Sequence, residues 1–373
     1  MSLPVIGIGV VGAGMMADAV VDAVSRWRLL VSPRGEPRLA VLCDVDAARL
    51  ARLGPAFAKT ATDWRAVVGD RSVSIVYVAV PHPLHREIAV AAIEAGKDVL
   101  VEKPMGLDLA DAEAIRAAAA ARPEQIVHCS NEFPFHPAAV YARDLVASEG
   151  ALGPVSFQYS GWHLHGSDTD PKKPINWKRR SATCGLGGVL SDLGAHVLFM
   201  ALLLGFRVTR VASALGKFFT ERPSAPGGPM VPCDTWDKAL LLGGCANGAL
   251  ATFRVDRVAT GVDDDWGFRA EGIGGVVGFD SGERDATLWG DRSGGLRHVP
   301  RGSRAIYPVR VGDIFGFGFR DVLLQMWAAV VDASATRVQS PHLPSAADGA
   351  YFQRVTDAAL RSHATGAWVD VGG

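Results

Sequence analysis

Residues 5–11, Val-Ile-Gly-Ile-Gly-Val-Val, are apolar without alternation and end at Gly12-Ala13-Gly14-Met15-Met16-Ala17. A strand that is apolar on both faces belongs inside a sheet covered on two sides, the habit of parallel sheets. A GxGxxA turn directly after such a strand, at the head of a helix, narrows the choice further. Gly12 permits a tight turn, Gly14 lets the backbone approach a bulky anion, and Ala17 lets the helix lie close to the sheet. The first helical residues, Met15 and Met16, then offer free N–H groups and a favourable dipole to phosphate. By itself the pattern also suits a glycine-rich turn in any α/β protein, so the identity of its ligand depends on the residues at the neighbouring strand ends.

Strands at 38–43, 75–79, 98–101 and 126–129 alternate with helices at 15–27, 47–53, 63–68, 85–95 and 109–121. This alternation predicts an α/β Rossmann domain, a parallel doubly wound sheet, over residues 1–130. Asp44 ends the second strand, where an acid can bind both ribose hydroxyls of NAD and repel a 2′-phosphate. It is also readable as a helix N-cap. Its distance from Gly14 exceeds the usual ~20 residues, and the polar stretch 32–37 reads as a loop insertion. Arg49 nearby leaves NADP open.

After residue 130 the pattern changes. A helix at 138–149 precedes an alternating strand at 155–162. Segments 239–242 and 249–255 flank a turn containing Asn247-Gly248, a hairpin signal. Residues 267–271 and 275–279 read as another pair, 222–232 as a surface loop, and 319–335 and 346–363 as late helices. Residues 131–373 are therefore expected to form an α+β domain with a large, mostly antiparallel sheet.

Lys and Arg number 38 against 39 Asp and Glu, a formal net charge of −1, which builds no field for nucleic acid or an anionic membrane. A small molecule is the expected partner. The five cysteines, Cys43, Cys129, Cys184, Cys233 and Cys245, are scattered and odd in number. They point away from a disulfide framework or a zinc site and toward a reducing, cytoplasmic setting. The apolar start lacks a basic flank and reads as a buried strand, not a leader. The later apolar run at 197–204 is far below the ~20 residues a membrane span needs.

Glu102-Lys103-Pro104 follows the strand at 98–101, at the end of a parallel strand where open α/β sheets place ligands. A lysine there can stabilise a substrate oxygen as charge develops on it, although spacing alone favours a surface lysine before a proline turn. Asp192 and His196 are four residues apart after Gly187-Gly188 and share one helix face. A carboxylate and an imidazole so placed can move a proton; the plainer reading is an ordinary helix pair. Trp162, His163, His165, Asp168 and Asp170 cluster after the first strand of the second half, and Trp177 stands just before the glycine turn. Substrate or surface contacts suit them better than a metal, whose ligands must converge.

The stretch 79–105, AVPHPLHREIAVAAIEAGKDVLVEKPM, resembles the signature of the Gfo/Idh/MocA oxidoreductases. The likeness extends over the glycine turn, Asp44, Pro81 with His85, Glu102-Lys103-Pro104, Gly187-Gly188…Asp192…His196, and the ending Asp348-Gly349…Gly366…Val369. It implies an NAD(P)-dependent dehydrogenase of a sugar, cyclitol such as inositol, or related polyol, moving hydride between a secondary alcohol and nicotinamide C4. It makes Lys103 the lysine that touches the reacting oxygen, with Glu102 positioning it and the nicotinamide ribose. Pro81 and His85 would line the cofactor cleft; His85 reads equally well as a helix-start residue. His196 becomes the general base and Asp192 the group that binds substrate or orients that base, with Trp162, His163, His165 and Trp177 as further substrate contacts. No metal is implied. The resemblance also implies a homodimer or homotetramer formed through the exposed face of the second sheet. Phe133-Pro134 stands where the family often has polar residues, and Cys184 and Leu186 alter its triple glycine. Two other activities fit the same residues: a glycosidase or lyase using transient oxidation by held NAD, and a non-catalytic dinucleotide sensor.

Overall fold

The computed structural model describes residues 3–147, 150–166, 168–282, 286–300, 305–310 and 317–372. Its contacts divide the chain into two units, Met1–Gly106 with Ala110–Pro137 and Ser303–Ala350, and Leu107–Leu109 with Ala138–Gly302 and Tyr351–Gly373.

The first unit is built on six parallel strands: β1 (Val5–Val11), β2 (Glu36–Cys43), β3 (Lys59–Ala61), β4 (Ile75–Val78), β5 (Asp98–Val101) and β6 (Val127–Cys129). Their order, β3-β2-β1-β4-β5-β6, is that of a dinucleotide-binding Rossmann sheet. The unbroken apolar runs have their predicted use, since β1 from Ile6 onward and all of β4 and β5 are buried. The short strand β3 has no counterpart among the expected elements. Its sequence, Lys-Thr-Ala, carries no apolar run, and only pairing with β2 defines it.

The helix Phe319–Thr336, expected in the second domain, packs in this first unit. Val322, Leu323, Met326, Trp327 and Val331 are buried in one core with Ile6, Ile8, Val20 and Tyr77. The fully buried Trp327 meets the Tyr77 ring edge-on with centroids 5.1 Å apart; a side chain this size resists truncation by about 3–5 kcal/mol. Asp98 fixes the end of that helix, accepting from Ser334 Oγ (2.6 Å), Arg337 Nη1 (2.6 Å) and the Ile126 amide (2.9 Å). A parallel sheet needs cover on both faces, and here part of that cover arrives late in the chain.

The second unit centres on a nine-stranded sheet. It comprises β7 (Ser156–His165), β8 (Val208–Gly216), β11 (Lys238–Cys245), β12 (Leu250–Asp256), β13 (Asp264–Gly272), β14 (Gly275–Asp280), β15 (Ala286–Asp291), β16 (Arg297–Pro300) and β17 (Val369–Asp370), in the order β16-β15-β14-β13-β7-β12-β11-β8-β17. All neighbours are antiparallel except β7 and β12. Both predicted hairpins form, and Gly248 takes the positive φ (83°) that its turn needs. The predicted helix at 138–149 is described as Pro137–Ala147, and residues 148 and 149 lie outside the described residues.

The segment 222–232, expected to be a surface loop, instead forms the ribbon of β9 (Glu221–Pro223) and β10 (Met230–Pro232). Arg222 lies fully buried at its root, donating to the carbonyls of Asp168, Asp170 and Lys173. The Pro and Gly content that suggested a loop belongs to the turn, while an ion-pair cluster anchors its base.

The helix Val189–Leu203 covers one face of the large sheet, and Tyr159 Oη donates to the Val197 carbonyl at 3.3 Å. The stretch Ser181–Leu203 is apolar enough to resemble a membrane span by length and composition, but 83% of its most apolar window is buried inside the folded unit.

His128, on β6, offers a test of the first unit. It is buried, its Nδ1 lies 3.1 Å from the Pro344 carbonyl, and its Nε2 accepts from the Ser340 amide at 3.2 Å, a pattern that needs the neutral ring. Burial pushes its pKa down to about 4. Between that value and the unfolded ~6.5 the unfolded chain binds the extra proton, so stability falls as pH drops through this window, by up to about 3 kcal/mol. Urea unfolding at pH 7 and pH 4.5 should show this loss, and His128→Gln should remove its share of the pH slope while lowering stability at pH 7.

Candidate active site

β1 ends where Gly12 turns with φ 104°. A Cβ there would lie 2.2 Å from the Ala79 carbonyl oxygen at the end of β4, so only glycine fits. The Gly12 amide donates to the Cys43 carbonyl (2.8 Å), and the Ala79 amide donates to the Val11 carbonyl (2.8 Å). The turn is thus held from both sides at the point where the strand order reverses. Gly14 caps the helix Met15–Ser25, and a Cβ on it would meet nothing within 4 Å. Its bare backbone therefore faces open space beside the helix N-terminus, the cradle a diphosphate requires. Met15 is exposed, Met16 half-buried and Ala17 buried against the sheet. Asp44 braces the turn: Oδ2 accepts from the Ala13 amide (2.7 Å) and Oδ1 from the Asp46 amide (2.8 Å). The N-cap of the helix Ala47–Leu53 is Asp46, not Asp44. Arg49 reaches within 3.7 Å of Asp44.

Lys103 follows β5 and precedes a cis Lys103–Pro104 peptide bond. Its amide donates to Glu102 Oε2 (3.2 Å), while Tyr77 Oη donates to Glu102 Oε1. Burial, reinforced by the Glu102 charge, pushes the Tyr77 phenol well up, so it stays a neutral donor. Pro81 is exposed at the start of the turn after β4. His85 does not line a cleft. It is fully buried, with Nδ1 3.0 Å from the Pro104 carbonyl and Nε2 2.8 Å from the Val80 carbonyl. It stitches the turn carrying Pro81 to the loop carrying Lys103, and burial pushes its pKa down.

In the second unit, Asp192 and His196 lie one turn apart on the helix Val189–Leu203, and both are buried. Lys178 Nζ donates to Asp192 Oδ2 at 2.8 Å, and Arg257 Nη2 stands 3.8 Å from the same oxygen. The His163 ring meets the His196 ring edge-on at 5.4 Å, and its Nε2 lies 2.9 Å from Asp264 Oδ1. Burial pushes the His165 pKa down; Asp264 opposes this, and His163 and Lys178 add to it. Trp177 is half-exposed, with Lys178 Nζ 5.7 Å from its ring centroid.

Trp162 departs from the expected grouping. Successive strand residues face opposite sides, and Trp162 lines a cavity with Leu240 and Leu242 on the sheet face away from His163. Asp168 is likewise committed elsewhere, ion-paired with the buried Arg179. Among the described residues no cluster of three or more His, Cys, Asp or Glu could hold a metal.

The descriptions "Oxidoreductase family, NAD-binding Rossmann fold" and "GFO/IDH/MocA C-terminal domain" match residues 6–129 and 140–276. The chain belongs to the Gfo/Idh/MocA oxidoreductase family. Levoglucosan dehydrogenase of Pseudarthrobacter phenanthrenivorans is 28% identical over 98% of each chain. A solved levoglucosan dehydrogenase in complex with NADH and levoglucosan superposes with a TM-score of 0.91 at 27% identity, covering 99% of this chain and 100% of that one. An oxidoreductase domain protein from Kribbella flavida gives a TM-score of 0.92 at 29% identity over the whole of both chains.

For this Gfo/Idh/MocA chain the residues fit NAD. Gly12 and Gly14 with the N-terminus of the helix Met15–Ser25 would hold the diphosphate, and Asp44, just after β2, would face the adenosine ribose. Sequence patterns single out Gly12, Gly14, Asp44, Glu102, Lys103, Asp192 and His196 but pass over Tyr77 and Arg257. A phenol inside Ile-Val-Tyr-Val must find a hydrogen-bond partner when buried, which is the available signal for Tyr77. Nothing local marks Arg257.

The two glycines should separate under substitution. Gly12→Ala is expected to destabilise folding by about 1–3 kcal/mol, before any clash with Ala79 is relieved. Gly14→Ala should leave stability within about 1 kcal/mol of the parent yet weaken NADH binding by filling the cradle. Thermal unfolding paired with fluorescence titration of NADH distinguishes the two effects.

Proposed function

We propose that this Gfo/Idh/MocA enzyme oxidises a secondary hydroxyl of a cyclic sugar, cyclitol or related polyol. The observation that carries the reading is the buried Asp192–His196 face, with Lys178 on Asp192 and the His163 ring on His196. Such a face recognises hydroxyl groups and moves a proton. Full-length similarity to a levoglucosan dehydrogenase supports the same class.

NAD, when bound, supplies the hydride acceptor. His196 accepts the hydroxyl proton. Asp192 accepts a hydrogen bond from a hydroxyl and orients the ring. Lys103 donates to the oxygen as negative charge develops on it, and the Tyr77–Glu102 pair keeps the Lys103 backbone in place. The half-exposed Trp177 ring offers an apolar surface to the C–H face of a sugar.

The open face of the nine-stranded sheet suits self-association. Leu240, Leu242 and Leu250 are each about half-exposed there beside a cavity of about 840 Å³ that Trp162 also lines. We read this face as the seat of a homodimer or homotetramer, and the five buried cysteines accord with a cytoplasmic protein. Leu240→Asp with Leu242→Asp should shift light-scattering mass to a smaller species without loss of secondary structure; an unchanged mass would refute the interface.

The activity is tested by NADH formation with a panel of anhydrosugars, aldoses and inositols. Lys103→Met and His196→Asn should each lower kcat by about 10²–10⁴-fold while NADH binding persists. Full activity in either variant would sink the assignment of roles. Release of an aglycone without net NADH would favour the transient-oxidation alternative.

A further inference from the structure

Lys178 lies on a short 3₁₀ turn, Trp177–Arg179, whose backbone is held on every side. Its amide donates to Asn176 Oδ1 (2.9 Å), and its carbonyl accepts from Thr235 Oγ1 (2.9 Å) and Arg257 Nη1 (2.8 Å). The side chain is 41% exposed, yet its Nζ reaches a carboxylate that is 6% exposed. Arg257, itself buried, approaches the same Asp192 oxygen from within the unit. At 3.8 Å its Nη2 is too far from that oxygen for a hydrogen bond, so its tie to Asp192 is charge alone.

A buried carboxylate stays ionised only where cations offset its lost hydration. Among the described residues, those facing Asp192 include Lys178 from the 3₁₀ turn, Arg257 from the segment after β12, Cys184 from the helix Ser181–Cys184, and His165 from the end of β7, with His196 one turn along its own helix. Of these, only Lys178 brings a full cation within hydrogen-bond distance.

We propose that Lys178 is a positioning residue that holds Asp192 as an oriented, acceptor-only carboxylate, so that it recognises a polyol hydroxyl and cannot act as an acid at neutral pH. The proposal rests on Asp192 facing substrate, as the polyol dehydrogenase activity also requires. An aspartate kept ionised only accepts hydrogen bonds, which selects the hydroxyl that donates to it. Lys178→Met removes the charge and leaves the backbone clamp, whereas Lys178→Arg keeps the charge.

The test measures kcat/KM against pH for the polyol, the KM for NAD, thermal unfolding, and the titration of ¹³Cγ-labelled aspartate assigned with Asp192→Asn. In Lys178→Met the acid limb of the polyol profile should move up by about one pH unit or more. Polyol kcat/KM should fall by roughly 10²-fold with the NAD KM unchanged, and Lys178→Arg should recover most of the loss. An unmoved acid limb together with an unmoved Asp192 titration would overturn the proposal, as would equal losses in Lys178→Met and Lys178→Arg. If the parent protein oxidises no polyol, the reading of its activity fails, while the carbon-13 titration still decides whether Lys178 controls Asp192.

Discussion

The first unit depends on a close approach of two backbones. Gly12 can turn against the Ala79 carbonyl only because it has no side chain, and this contact lies between β1 and β4, where the strand order reverses. From it follow the position of Gly14 at the helix N-terminus, the brace from Asp44, and the course of the chain after β4. That course is then tied by His85 to the loop carrying Lys103. One steric exclusion therefore places both the phosphate cradle and the lysine loop.

In the second unit electrostatics takes the part that sterics plays in the first. Three buried arginines, Arg179, Arg222 and Arg257, are matched by Asp168, Asp237 and Asp192. Breaking any such pair would strand a charge in a poorly hydrated interior, a loss of about 3–5 kcal/mol. The cluster thus fixes the backbone around the 3₁₀ turn, from which the half-exposed Lys178 reaches Asp192. A network that looks structural in its depths becomes chemical at its rim.

Much of this is legible in the residues. Unbroken apolar runs mark the parallel strands, and the Asn247-Gly248 turn marks its hairpin. The glycine pattern and the Glu102-Lys103-Pro104 segment mark turns at strand ends of the first unit, where its candidate site residues stand. His85 can be read two ways because a histidine at a helix start has the same spacing whether it faces a ligand or two carbonyls. Adjacency groups Trp162 with His163, although adjacent strand residues point apart. Arg222 lies in a segment whose Pro and Gly content signals a turn and says nothing of the ion pairs at its base.

Sequence alone determined the local geometry: which segments extend or coil, where only glycine can turn, and which helix face carries a carboxylate and an imidazole. These follow from periodicity and backbone sterics, which act between near neighbours. Tertiary structure alone decided that the helix Phe319–Thr336 joins the first unit, that Tyr77 anchors Glu102, and that Lys178 and Arg257 converge on Asp192. Those partners are up to hundreds of residues apart. Burial and charge pairing act through space, and no local pattern in the chain records which distant group will be brought near.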